Sequence, residues 1–168
     1  MIHVCSLADL PATVEATGAR YVLTVMGQVD KAQRPPSVPE ANHLKISMDD
    51  ITAAAEGFVT PSASHIGQVL DFVRRWNRDA PMVIHCYAGI SRSTASAFAA
   101  ACLLNPHRDE LSIAQQIRNA SPTAIPNRLI VTLADEALGR QGRMLRALDA
   151  MGPGTMSIES RPFRVEIE

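Results

Sequence analysis

The stretch His85-Cys86-Tyr87-Ala88-Gly89-Ile90-Ser91-Arg92-Ser93-Thr94 holds the residue types of one chemistry at one spacing. Cys86 and Arg92 are separated by five residues, with a histidine before the cysteine, a glycine inside the interval and a serine after the arginine. A thiolate at Cys86 is a nucleophile that can attack phosphorus directly. The planar fork of Arg92 can hold two equatorial phosphoryl oxygens at once, which a lysine cannot copy. Gly89 permits a backbone turn closed to residues with a Cβ. Ser93 can donate a hydrogen bond to the Cys86 sulfur when that sulfur becomes the leaving group, and His85 can fix the loop backbone through its ring nitrogens. The chemistry this spacing serves is thiolate attack on a phosphate ester.

Such a constellation needs elements that aim it. Pro81 to His85 is a short apolar run opened by a proline and reads as a buried strand. Ser93 to Leu104 is nearly all small or apolar, stops at Asn105-Pro106, and reads as a buried helix. A strand–loop–helix unit turns the loop N–H groups toward a common centre and adds the positive end of the helix dipole. The loop is thus an anion cradle, and a sulfur at Cys86 is favoured there as thiolate. Tyr87, Ala88, Gly89, Ile90, Ser91 and Arg92 are the expected phosphate-binding residues, with a phosphate or sulfate ion as a natural occupant.

The remaining pattern alternates strands and helices. Strands are expected at Ile2 to Cys5, Arg20 to Met26 and Asn42 to Met48, where Leu44, Ile46 and Met48 share a face. Helices are expected at Leu7 to Thr17, ended by Gly18, and after Thr60-Pro61, with Thr60 as cap. Ile66, Val69, Leu70, Val73 and Trp76 give that second helix its apolar stripe, Trp76 as a core anchor and Arg74, Arg75 and Arg78 as its solvated face. Further helices are read at Glu110 to Ala120, Pro126 to Leu138 before Gly139, and Gly142 to Met151. Gly27 to Ala41, with three prolines, is a loop. The fold class is α/β: a central, mostly parallel sheet of about four to five strands with helices on both faces. The catalytic loop belongs at the carboxyl end of a central strand.

The His-Cys-x₅-Arg-Ser signature resembles that of the Cys-based protein tyrosine phosphatase superfamily, and the chain looks like a small dual-specificity-type member of the kind bacteria carry. The resemblance is strong over Asn42 to Leu138. It implies phosphate monoester hydrolysis through a cysteinyl-phosphate intermediate, with no metal or other cofactor. It also implies an Asp general acid on the loop after the third strand, because the departing alkoxide or phenoxide needs a proton. Asp49 and Asp50 both fall there. The resemblance of His43-Leu44-x-Ile46 followed by Asp50-Ile51 favours Asp50, as does strand parity with Leu44, Ile46 and Met48. The other aspartate is then a solvated residue or the cap of a short helix over Thr52 to Glu56. The resemblance further makes Asn127, in Ile125-Pro126-Asn127, a support hydrogen-bonded to the phosphate-loop region. Arg128 beside it is either an anion-steering residue or an ordinary surface arginine.

Alternatives are narrowed by what accompanies Cys86. A rhodanese-like loop lacks the Arg-Ser pair, and a redox role would want a Cys-x-x-Cys, which is absent. No Gly-x-Ser-x-Gly elbow or Gly-Lys-Ser/Thr nucleotide loop occurs. His3, His43, His65 and His107 lack paired metal-ligand spacing. Two function classes stay open: an enzyme, or a module that binds phosphorylated partners without turnover and has no need of an acid. Tyr87, Ala88, Ile90 and Ser91 are not cationic, which favours phosphotyrosine, phosphoserine and phosphothreonine on proteins over a phosphoinositide.

The chain of 168 residues reads as one domain, with residues 140–168 a family-atypical extension. The net charge of −1 gives no bulk attraction to nucleic acid or an anionic membrane. No apolar run reaches the roughly 20 residues of a membrane span, and Met1 to Val4 has no signal-peptide pattern. Three cysteines argue against a disulfide framework and for a reducing cytoplasm, with Cys5 and Cys102 as small core residues.

Overall fold

Residues 1–167 are described in a computed structural model. Five strands form one sheet in the order β3-β2-β4-β1-β5. They are β1 (Ile2–Cys5), β2 (Tyr21–Val25), β3 (His43–Ile46), β4 (Met82–His85) and β5 (Phe163–Val165). The first four run parallel, and β5 pairs antiparallel with β1 at the edge. In register, His85 lies between Cys5 of β1 and Thr24 of β2. Cys86 therefore leaves the carboxyl end of the central strand, the position where open α/β sheets hold ligands.

Six helices cover the sheet: α1 (Leu10–Thr17), α2 (Ala63–Arg75), α3 (Arg92–Leu104), α4 (Glu110–Ala120), α5 (Arg128–Ala137) and α6 (Arg143–Met151). Side chains alternate across each strand, and two unequal cores result. Val22 and Val83 join Leu10 and Val14 of α1 in the smaller one. Leu23, Val25, Met82 and Ile84 join α2 to α6 in the larger one. Helix α3 is sunk in that larger core. Its Ala95, Ala97, Ala99, Ala100 and Ala101 are fully buried, and their small size lets the helix pack on all sides. Trp76 follows α2, is buried as a core anchor, and donates its indole N–H to the Ala80 carbonyl at 2.9 Å.

Four local expectations are corrected. Helix α2 starts later than Thr60-Pro61: Ser62, in an extended conformation, is its cap and accepts from the His65 N–H. Helix α1 begins at Leu10, after Asp9, whose carbonyl accepts the Thr13 N–H at 2.8 Å, while Leu7 is tied by its N–H to the Tyr87 carbonyl at 3.0 Å. Thr52 to Glu56 forms bends and turns, and no helix. The segment after Met151, in which no element was anticipated, supplies β5; three residues are too short for periodicity to reveal.

Residues 140–151 are tied firmly to the helices before them. The buried Glu110 carboxylate accepts from Arg140 at 2.7 Å and Arg143 at 3.0 Å. Asp135 accepts from the Gly142 and Met144 N–H groups at 2.6 and 2.9 Å, which anchors the start of α6.

Candidate active site

The loop between β4 and α3 is shaped from outside. The Tyr87 carbonyl accepts from Leu7, Ala88 from Ser160, Ile90 from Ile125, and Ser91 from Ala95 and Asn127. The Cys86 carbonyl accepts from the His85 ring. With its carbonyls turned outward to donors, the loop turns its own N–H groups inward. Among the described residues, no amide from Tyr87 to Arg92 donates to a protein acceptor. Gly89 makes this curvature possible twice over. Its φ is +73°, and a Cβ there would lie 2.8 Å from the Cys5 carbonyl carbon and 2.9 Å from the Ser6 nitrogen. The end of β1 is thus the surface on which the loop rests.

Cys86 is buried at the base of the loop, with its sulfur 3.1 Å from the Ser93 hydroxyl. Arg92 opens α3 and donates from Nη1 to the Met48 carbonyl at 2.9 Å, while its buried Nε has no partner. One arm of the guanidinium is therefore anchored, and an N–H donor of the fork remains for an anion. Because Met48 immediately precedes the two aspartates, the same bond ties the arginine to their loop.

The structure separates Asp49 from Asp50. Asp49 closes its own loop, donating its N–H to the Val59 carbonyl at 2.8 Å and accepting the Val59 N–H on Oδ2 at 2.7 Å. It is neither simply solvated nor a helix cap. Asp50 is exposed and leans onto the phosphate loop: its Oδ1 accepts from the Ser91 hydroxyl at 2.7 Å and from the Asn127 amide at 2.8 Å. Asn127 works at both ends. Its oxygen caps α5 by accepting from Ile130 at 3.1 Å, and its amide holds Asp50 and reaches the Ile51 carbonyl at 3.3 Å. The expected bond to the phosphate-loop region is made by its backbone N–H, to Ser91, while the side chain goes to Asp50. Arg128 is an exposed arginine paired with Asp149 at 2.6 Å.

Beneath the loop lies a relay that the sequence did not reveal. The Cys86 carbonyl can only accept, so His85 Nδ1 carries the proton of that 3.2 Å bond. Its Nε2 then accepts from the Thr24 hydroxyl at 2.7 Å, and Thr24 in turn accepts from His43 Nε2 at 2.8 Å. Burial pushes both imidazoles down to about 4, so both are neutral, and the donor order requires this of His85, whose Nε2 must accept. The relay crosses β4, β2 and β3, and only the sheet register brings its members together. Cys5 and Cys102 are buried, and burial pushes their thiols up to about 12, consistent with packing roles.

A buried thiol in an inward-facing amide loop, with an arginine fork and a carboxylate at its lip, is an arrangement that can bind a phosphate ester and attack it with sulfur. The sequence matches the protein-tyrosine phosphatase family model over residues 20–131, which takes in Asp50, the whole loop and Asn127. The chain belongs to the protein-tyrosine phosphatase family. Its fold is similar to that of the Cydia pomonella PTP-2 phosphatase, with a TM-score of 0.62 and 18% identity over 80% of this chain and 84% of that one. It is similar to human DUSP28, with a TM-score of 0.61 and 17% identity over 83% and 89%. It is also similar to PTPMT1 in complex with PI(5)P, with a TM-score of 0.62 and 16% identity over 88% and 94%. At these identities the likeness concerns the fold. No curated protein matches the chain in sequence.

Proposed function

We propose that the whole chain is one phosphatase domain that hydrolyses phosphotyrosine, phosphoserine and phosphothreonine on proteins, with Cys86 as nucleophile and Asp50 as general acid. The observation that carries the reading is the Asp50 carboxylate, held at the lip of the phosphate loop by Ser91 and Asn127. A module that only binds phosphate has no use for it.

In the first half-reaction the Cys86 thiolate attacks phosphorus, and the bond from phosphorus to the ester oxygen breaks. The inward N–H groups and Arg92 hold the equatorial oxygens as charge builds on them. Asp50 delivers its proton to the departing oxygen. In the second, water attacks the cysteinyl phosphate and Asp50 takes a proton from that water. The sulfur–phosphorus bond then breaks, with Ser93 donating a hydrogen bond to the leaving thiolate. His85 steadies the Cys86 carbonyl from below.

The non-cationic side chains of Tyr87, Ala88, Ile90 and Ser91 support a single phosphate on a protein as substrate. Extra phosphates would go unpaired in a partly desolvated site. No helix among the described residues is long and apolar enough to cross a membrane. A thiolate nucleophile suits a reducing compartment, so we place the enzyme in the cytoplasm. The test is chromogenic aryl phosphate hydrolysis followed by a panel of phosphopeptides, phosphoinositides and nucleotides. Phosphotyrosine peptides are expected to react fastest, because phenoxide leaves most easily. Higher efficiency on a phosphoinositide than on any phosphopeptide would contradict the substrate assignment.

A further inference from the structure

Residues 152–160, beyond the family match, run as a strap along one side of the phosphate loop. Arg118 fixes its start, donating to the Gly152 carbonyl at 3.0 Å and, with its other amine, to the Pro122 carbonyl before α5 at 2.7 Å. The Thr155 N–H donates to Pro122 at 2.8 Å. Gly154 lies so close to the loop before α5 that a Cβ would sit 2.6 Å from the Ala124 carbonyl oxygen. The buried Ser160 closes the strap: its hydroxyl is 3.2 Å from that of Ser121, and its N–H donates to Ala88 of the phosphate loop at 2.9 Å.

Every anchor is a backbone or polar group, yet the strap displays two large apolar side chains that bury almost nothing. Met156 is 86% exposed and Ile158 96%. Ile158 lines a groove with Leu7, Ala8, Tyr87, Ala88 and Glu159, and two of these belong to the phosphate loop. Neither lysine nor arginine lines this groove. The wider surface repeats the pattern. Of the seven exposed large apolar side chains among the described residues, six are Phe58, Val59, Tyr87, Ile125, Met156 and Ile158. All six lie on the loop itself, on the Asp49 loop, or on segments hydrogen-bonded to the loop, so the apolar exposure is gathered where a substrate must sit.

We propose that the strap is the recognition wall of the cleft, and that it selects phosphoproteins carrying an apolar side chain next to the phosphorylated residue. This rests on the phosphatase reading above. The groove adjoins Ala88 and Tyr87, so its occupant lies within a residue or two of the phosphate. In an extended peptide that distance is one or two side-chain steps of about 3.3 Å each. A phospholipid meets it poorly, since its acyl chains are a headgroup away from any ring phosphate. Glu159 at the groove disfavours acidic neighbours.

The test compares two phosphotyrosine peptides, identical except for leucine or aspartate beside the phosphotyrosine, with p-nitrophenyl phosphate as the flank-free control. The wild-type enzyme is expected to prefer the leucine peptide by about tenfold or more in kcat/KM. The double variant Met156→Ser, Ile158→Ser should lose most of that preference through KM, with unchanged p-nitrophenyl phosphate turnover and thermal midpoint, because neither side chain packs in the fold. Equal efficiency on the two peptides, or a preference the double variant retains, would overturn the proposal while leaving the phosphatase reading intact. Faster hydrolysis of a phosphatidylinositol phosphate in mixed vesicles, lost in the double variant, would assign the wall to lipid and overturn it as well. Failure to hydrolyse p-nitrophenyl phosphate would remove the phosphatase reading, and this proposal with it.

Discussion

The two sides of the cleft are built from different materials. On one side Asp50, Ser91 and Asn127 form a connected polar wall, each bond 2.7–2.8 Å and each member inside the family-matched residues. On the other, Ile158 faces Leu7 and Tyr87 across an apolar groove, on a strap outside that match. Proton transfer demands donors and acceptors fixed in position, so the first wall has little freedom to vary. Apolar contact is non-directional and proportional to area, so the second can change its side chains without disturbing the chemistry. On the roles proposed above, the contrast separates turnover from selection, and each wall should fail in its own way.

The largest effects belong to the loop both walls share. Cys86→Ser should reduce turnover to background while phosphate analogues still bind, and a retained wild-type rate would rule out the covalent route. Arg92→Lys should lower kcat/KM by about 10²–10³, because a point charge cannot replace the anchored fork. Chelators should leave the rate unchanged, and inhibition by EDTA would indicate a metal-assisted mechanism instead.

The polar wall comes next. Asp50→Asn should lower kcat/KM for alkyl phosphates by about 10²–10⁴ and for activated aryl phosphates much less, and should flatten the basic limb of the pH–rate profile. Asp49→Asn should act mainly on the Val59 clasp, with a small effect on rate. The reverse pattern would move the acid to Asp49.

The relay beneath the loop predicts a stability signature. His85 and His43 stay neutral in the fold down to about pH 4, whereas the unfolded chain takes up protons near pH 6.5. The unfolded state therefore binds more protons between those values, and stability falls as pH drops through that window. For the deeply buried His85 the loss is on the order of 3 kcal/mol. Denaturant titrations at pH 7 and pH 4.5 should show it, and equal midpoints would contradict the neutral relay. Thr24→Val leaves two ring nitrogens without partners and should cost about 1–3 kcal/mol at pH 7. The apolar wall has the smallest effect of all: the preference of about tenfold set out above, with no change in basal rate.

The loop was legible in the sequence because its residues are contiguous: Cys86, Gly89, Arg92 and Ser93 carry their geometry in their spacing. Asn127 was singled out through resemblance alone, and Asp50 through resemblance with slight support from strand parity, which is too weak a signal to tell one aspartate of a pair from its neighbour. The distinction comes from Val59, ten residues away, which claims Asp49. Thr24 and His43 were hidden because they act through strand register, which no single segment encodes. The strap was hidden for the opposite reason. It has no periodicity to read, its contacts are hydrogen bonds to distant segments, and Ile158 looks unremarkable until the fold sets it beside Tyr87.

The central claim is that an ester phosphate passes through Cys86 with Asp50 serving both halves of the reaction. Asp50→Asn enzyme mixed rapidly with an activated aryl phosphate, quenched, and mapped by peptide mass spectrometry tests it most directly. The account predicts a burst of aryl alcohol stoichiometric with enzyme and one phosphoryl group on the peptide containing Cys86. A burst-free time course with no modified peptide, or a phosphoryl group on any other residue, would contradict it.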